Sequence, residues 1–135
     1  MMDIRSEQEQ AGHALKELAL GLDWVRISFE ARFIGKYGEQ ESVVIHLRTG
    51  KAEEAPAPDG LWLALQSMRK KMYKPGEGTW FAVTGFLGRN GYLDVQFSYD
   101  EPQWRIDVGP SSYQEDLEKF PRAAENVPPW FLTGR

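Results

Sequence analysis

The sequence predicts an α+β fold: one domain spanning residues 1–135, in which an antiparallel sheet of four to five strands is built from two hairpins and helices pack on one face. Two observations predict this class. The apolar residues recur at helical spacing in some segments and alternate with polar residues in others, and glycine-containing turns separate the alternating segments in pairs. The chain is long enough for one sizeable core and too short for two.

The N-terminal segment predicts an amphipathic helix from about residue 3 to residue 20. Its apolar residues are spaced by seven, four, three and four, which places them on one helical stripe: Ile4, Ala11, Leu15, Leu18 and Leu22. Gly21 lies where glycine commonly ends a helix, so we expect the chain to turn there.

Alternation begins at Trp24 and predicts the first hairpin. In WVRISFEARFIG the apolar residues alternate with polar ones, and SVVIHLRT repeats the pattern after the turn GKYG, with His46 pointing outward. We expect the following side chains to face the core: Val25, Ile27, Phe29, Ala31, Phe33, Val43, Ile45 and Leu47. Residues 50–60, GKAEEAPAPDG, are polar and proline-bearing and predict a loop within the domain.

A second amphipathic helix is predicted after this loop, with Asp59 as its N-cap and Pro75-Gly76 as its end. Its apolar stripe is Leu61, Leu65, Met68 and Met72. Four cations lie in its last turns, where they complement the helix dipole: Arg69, Lys70, Lys71 and Lys74. Because this explanation suffices for the basic cluster, we do not expect the cluster to bind nucleic acid.

The second hairpin is predicted from residues 79–88 and 92–99, joined at Asn90-Gly91, a strong two-residue turn signal. Such a turn pairs Phe86 with Val95. The core-facing side chains are then Leu93, Val95, Phe97 and Tyr99, while Asp94, Gln96 and Ser98 point away from the core. Beyond the hairpin we expect a short fifth strand over residues 104–108 and a short helix over residues 113–120.

Composition and charge narrow the function. Cysteine is absent, which suits a reducing compartment and removes thiolate chemistry. The N-terminus MMDIRSEQEQ does not resemble a signal peptide, and no run approaches the ~18 apolar residues of a membrane span, so we expect a cytoplasmic protein. The net charge is −4, and residues 93–135 contain eight acids against four basic residues. Such an acidic segment disfavours phosphate and suits a basic partner.

No common catalytic or cofactor motif is present in the sequence. His13 and His46 are isolated, no serine lies in a G-x-S-x-G elbow, and GEGTW and GFLGRNG lack the spacing of phosphate-binding loops. Carboxylates are the remaining candidates, but the adjacent Asp100 and Glu101 point to opposite sides of an extended chain. We therefore expect no enzymatic activity, no cofactor and no metal. The alternative is a small carboxylate-dependent hydrolase or metal-binding protein.

Residues 61–131 contain a characteristic succession of sequence features. A basic amphipathic helix precedes GTWFAVTGFLGRNGYLDVQFSYDEP, and a short acidic helix and a Pro-Trp tail, YQEDLEKFPRAAENVPPWF, follow it. This order resembles the YezG-type immunity proteins of bacterial polymorphic toxin systems, and the tail resembles their actinobacterial-type members. The hallmarks are a Trp-led strand, a glycine at the hairpin turn, and a second strand ending in Tyr-Asp. These hallmarks fall on Trp80, Gly91, Phe97, Tyr99 and Asp100.

The resemblance implies an antitoxin that binds the C-terminal domain of a cognate toxin, often a nuclease, and occludes its active site or substrate path. We expect no nucleic acid or membrane partner, and a monomer or weak homodimer. Acidic and aromatic residues suit a basic toxin surface and are the candidate contacts: Asp94, Tyr99, Asp100, Glu101, Trp104, Glu115, Asp116 and Trp130. A chaperone that binds the effector without inhibiting it is the other alternative.

Overall fold

The computed structural model describes residues 3–56 and 58–132, and this part of the chain has the α+β architecture expected. Its helices are α1 (Arg5–Leu18), α2 (Asp59–Lys71) and α3 (Pro110–Lys119), with short 3₁₀ helices at Ala124–Asn126 and Pro129–Phe131. Its strands are β1 (Trp24–Ile34), β2 (Tyr37–His46), β3 (Ala52–Ala55), β4 (Ala82–Gly88) and β5 (Leu93–Ser98). They form one antiparallel sheet in the order β3-β2-β1-β4-β5.

The main core lies between the sheet and the pair α1 and α2, which cover one sheet face. Leu15 of α1 and Leu65 of α2 are fully buried against Ile27 and Phe33 of β1, as the helical stripes and the β1 alternation predict. Trp80 is also fully buried, with its ring centroid 5.9 Å from that of Phe33 in an edge-to-face pair. Within the described residues, none of the helices is long and apolar enough to cross a membrane.

A second cluster packs at the end of the sheet where β1 turns into β2. It consists of Ile34, Phe81, Val108, Tyr113 and Phe131, all buried. The ring centroid of Phe131 lies 5.6 Å from that of Phe81 and 5.2 Å from that of Tyr113, both edge to face. This cluster anchors α3 and the C-terminal tail to the body of the domain.

The core-facing side of β2 is opposite to the prediction. Val44 and Ser42 are buried, whereas Val43 and Ile45 lie on the other face and Leu47 is exposed beyond the strand end. The two-residue turn decides this register, because it pairs Ile34 with Tyr37 and therefore Ile27 with Val44. The three consecutive apolar residues Val43, Val44 and Ile45 place apolar side chains on both faces of the strand, so the sequence pattern does not show which face is buried.

Other element boundaries also differ from those predicted. A register irregularity between Trp24 and Arg26 leaves Val25 exposed, and half-buried His46 lies on the parity of Val44 rather than outward. Asp59 is the first residue of α2, and the N-cap is Pro58 without a side-chain cap. The predicted loop contains β3, and residues 104–108 form no strand. The sequence of β3, AEEA, is too short to show an alternation of apolar and polar residues, so the strand was not predicted.

The second hairpin has a longer turn than predicted, so its pairing moves by one residue. Leu87 pairs with Leu93 and Phe86 with Asp94, and residues 89–92 connect the strands, with Gly91 at φ 83°. Leu93, Val95 and Phe97 still pack toward the main core: Leu93 is buried in it, and Val95 and Phe97 are partly buried against it. The core-facing prediction for Tyr99 is wrong. The strand ends at Ser98, and Tyr99 is 50% exposed.

Gly85 is a position where the sheet has no room for a side chain. A Cβ there lies 2.6 Å from both the carbonyl oxygen of Asp94 and the ring of Phe29. We expect Gly85→Ala to lower the free energy of unfolding by about 1–3 kcal/mol, because a neighbouring main chain cannot move aside cheaply. Gly12→Ala is the opposite-sign control. Its Cβ meets only Leu87 Cδ1, at 3.9 Å, so the gain in helix propensity stabilises α1 by about 0.5–1 kcal/mol. Urea denaturation measures both, and equal effects would contradict this packing.

Candidate functional site

The sheet face opposite α1 and α2 is not covered by a helix over most of its width. The strand pairing places two rows of side chains across it, Glu54–Val43–Ser28–Phe86–Asp94 and Glu41–Glu30–Thr84–Gln96, with Ile45 and Arg26 beside the first row. We call these residues the open face. Each of them is exposed or half-buried, and all except Glu54, Ile45 and Arg26 line a shallow concavity of about 390 Å³.

The centre of the open face is apolar. Val43 and Phe86 flank the small Ser28 in the first row, and Gly85, which has no side chain, lines the concavity beside them. The guanidinium of Arg26 lies 4.3 Å from the centroid of the Phe86 ring, a cation–π contact at the border of the face. The result is an aromatic and aliphatic floor rather than a polar cleft.

Carboxylates surround this apolar centre. Asp94 and Glu54 stand at the two ends of the first row, and neither makes an ion pair within the part of the chain that the structure describes. Glu30 and Glu41 face each other directly across β1 and β2. Like charges directly opposite on neighbouring strands repel, so this pair needs a nearby cation.

Arg32 is that cation, and it is buried. Its Nη1 lies 3.5 Å from Glu30 Oε1 and its Nη2 lies 3.1 Å from Glu41 Oε1, while its Nε donates to Glu39 Oε1 at 2.6 Å. The Arg32 side chain is 5% exposed, so its charge is shielded from solvent and shared among three carboxylates. The open face therefore presents a net negative charge to a partner.

The 99–108 segment crosses the remaining end of the same sheet face. The main-chain N–H of Arg105 donates to Glu39 Oε2 at 3.0 Å, and Arg105 Nη2 lies 3.2 Å from Glu41 Oε1. The Trp104 ring packs edge to face on Tyr37, with centroids 5.8 Å apart. This segment covers the Tyr37 end of the face and leaves the concavity uncovered.

The Glu39 carboxylate sits under this segment with a lowered pKa. Burial alone would raise the pKa of Glu39, but hydrogen bonds from Tyr37, Arg32 and the Arg105 amide together hold it below its ordinary value. Burial, and next the hydrogen bond to Glu39, raise the pKa of Tyr37 to about 12. Glu39 therefore stabilises the fold as an anion.

This ionisation predicts a pH dependence of stability. A carboxyl group with a lowered pKa in the folded state stabilises above its unfolded value, 4.5 for Glu39, and loses that contribution as the pH falls through the folded value. We expect the free energy of unfolding of Glu39→Gln to fall less than that of the wild type between about pH 6 and pH 3. Glu118→Gln, exposed on α3, is the control and should follow the wild type. Parallel curves for all three proteins would rule out this role of Glu39.

The sequence-predicted contacts do not form one site. Asp94 belongs to the open face. Tyr99 and Asp100 are exposed beyond β5, where the Asp100 N–H donates to Ser98 Oγ at 3.2 Å, and Glu101 is half-buried in a separate groove of about 310 Å³. Glu115, near the turn after β1, lies 3.7 Å from Lys36.

The two tryptophans proposed as contacts serve the fold itself. Trp104 packs on Tyr37, as described above, and Trp130 lies edge to face on Phe81 with a centroid distance of 4.8 Å. Both rings are half-buried. Trp104 thus packs the 99–108 segment, and Trp130 the C-terminal tail, against the second cluster.

Asp116, named from the sequence as a candidate toxin contact, is not on the surface. Its Oδ1 accepts hydrogen bonds from Arg69 Nη1 at 2.7 Å and from the Gly35 N–H at 2.9 Å, and both side chains of the ion pair are 1% exposed. Arg69 also donates to the Trp80 carbonyl at 2.7 Å. Arg69 thus joins α2 to α3. The prediction that it complements the dipole of its own helix at the surface is wrong. Asp116 is unavailable to a partner in this fold.

The open-face residues other than Asp94 were missed by the sequence reasoning. Glu30 and Glu41 read as the polar positions of alternating strands, and Val43 was assigned to the core. The available signal was the two-residue turn, which fixes their common face once the Ile34–Tyr37 pairing is known. Across residues 3–56 and 58–132, no group of three or more His, Asp or Glu residues is arranged to hold a metal ion.

Comparison with known proteins leaves the family open: no protein-family model and no curated protein matches this chain.

Proposed function

We propose that the protein is a cytoplasmic immunity protein that binds a cognate bacterial toxin domain, a nuclease, and neutralises it by occluding its active site or substrate path. The open face is the observation that carries the proposal. An apolar floor with a surround of charged groups is the usual composition of a protein-binding surface, and the sign of the charge selects the partner.

The negative charge favours a basic protein over a nucleic acid. Glu30, Glu41, Glu54 and Asp94 repel phosphate, whereas a nuclease must carry a basic surface to bind its substrate. The likeness of residues 61–131 to YezG-type immunity proteins supports the same class of partner.

Co-expression tests the proposal. The toxin domain encoded beside this gene is produced in a bacterial host with and without the protein, and growth and complex formation are measured. We expect the protein to restore growth and to co-purify with the toxin domain in a stable complex. Binding without restored growth would instead identify a chaperone, and neither binding nor restored growth would refute the proposed function.

A further inference from the structure

We infer that the open face is the toxin-binding surface, and that it takes a basic protein segment. In the complex, an apolar side chain of this segment lies over Ser28, and Lys or Arg side chains lie against Asp94 and against the Glu30–Glu41 pair. The inference rests on the proposed function for the identity of the partner. It replaces the 99–108 segment and α3 as the centre of the interface.

The first row of the face has the shape and polarity for such a segment. It runs from Glu54 on the edge strand β3 to Asp94 on the other edge strand β5, and Val43 and Phe86 flank the small Ser28 between them. Four strand spacings of about 4.8 Å make this row about 19 Å long. The row therefore combines an apolar depression at its centre with a carboxylate at each end.

The second row supplies charge that the free protein accommodates at a cost. Glu30 and Glu41 are direct cross-strand neighbours, and Arg32, which they share, is also engaged by Glu39. Arg105 pairs with Glu41, so among the described residues Glu30 depends on the 3.5 Å contact with Arg32. Two strand spacings, about 10 Å, separate Glu30 from the strand that carries Asp94. A cationic side chain placed between Glu30 and Asp94 contacts both carboxylates. It also relieves the repulsion between Glu30 and Glu41.

A second copy of this chain is a poor occupant. Two-fold pairing of identical faces brings Asp94, Glu30 and Glu54 of one copy against the same acids of the other, which is electrostatically unfavourable. The charge of the face thus favours an unlike, basic partner.

The test measures Kd for the purified toxin domain by calorimetry with single variants. We expect Asp94→Lys to raise Kd about tenfold or more, because it turns attraction into repulsion. The matched reversal Glu17→Lys lies on α1, on the helix-covered side of the sheet, and should leave Kd unchanged. Circular dichroism confirms that each variant is folded.

Glu30→Gln separates a binding role from a structural one, because it is expected to stabilise the free protein and to weaken binding of the toxin domain. Removal of one of two facing like charges should raise Tm by about 1–3 °C, while the loss of a partner contact should raise Kd severalfold. If Asp100→Lys weakens binding and Asp94→Lys and Glu30→Gln do not, the interface is the 99–108 segment and this inference is wrong while the proposed function stands. If the wild type binds no toxin domain, the proposed function fails and the inference fails with it.

Discussion

Asp116→Ala is expected to lower the free energy of unfolding by about 3–5 kcal/mol. The substitution leaves Arg69 with an uncompensated buried charge, and breaking a buried ion pair from one side carries a cost of this size. It also removes the acceptor for the Gly35 N–H at the turn between β1 and β2. Since natural domains are stable by about 5–15 kcal/mol, this one change removes a large part of the total. Urea denaturation monitored by tryptophan fluorescence measures it.

Glu115→Ala is the matched control for this experiment. Glu115 precedes Asp116 on α3 and its pair with Lys36 is solvent-exposed, so the cost should stay below about 1 kcal/mol. The double substitution Arg69→Met with Asp116→Leu removes both charges and should recover part of the loss. A small loss for Asp116→Ala, equal to that of Glu115→Ala, would mean that the Arg69–Asp116 pair does not hold α2 and α3 together.

The double reversal Glu30→Lys with Asp94→Lys is expected to abolish protection of cells against the toxin. Both positions face solvent at the rim of the concavity, so the fold should survive while the face changes sign. Two repulsive contacts of this kind should raise Kd by about 100-fold or more, roughly 2.7 kcal/mol. Growth of cells that co-express the toxin measures the loss of protection.

A remote double reversal, Glu17→Lys with Glu118→Lys, is the matched control because it changes the net charge equally. Both residues are exposed on helices outside the open face. We expect these cells to grow like the wild type. Equal loss of protection in the two double variants would show that overall charge, and not the open face, governs inhibition.

The fold class was predictable because the strongest periodic segments obey local rules. The spacing of Leu15 and Leu65 gave α1 and α2, and the alternation from Ile27 to Phe33 gave β1 with its correct core side. The helix at the start of the tail was also predicted, and the structure extends it to Pro110–Lys119. These elements depend on side chains close in the sequence.

The incorrect predictions concern features that depend on contacts between residues far apart in the sequence. The face of Val43 depends on the turn at Gly35, and β3 exists because it pairs with β2. Burial of Arg69 and Asp116 depends on residues 47 positions apart in the chain. Neither residue carries a local signal of burial, because a charged side chain is buried only where its partner is brought to it.

For the same reason, the candidate site was predicted only in part. Asp94 was correctly placed pointing away from the core. However, its neighbours on the open face come from β1, β2 and β4, and only the sheet order brings them together. The acidic residues closest to it in sequence, Asp100 and Glu101, lie beyond the strand end and outside the concavity.

Methyl NMR of the complex identifies the surface that contacts the toxin domain. In protein labelled at Val and Ile methyl groups, Val43 and Ile45 report on the open face, and exposed Ile106 reports on the 99–108 segment. On addition of the unlabelled toxin domain, we predict large shift changes for Val43 and Ile45, with little change for Ile106 and for the core residue Val44. Shifts of Ile106 with unchanged Val43 and Ile45 would instead place the interface on the 99–108 segment and not on the open face.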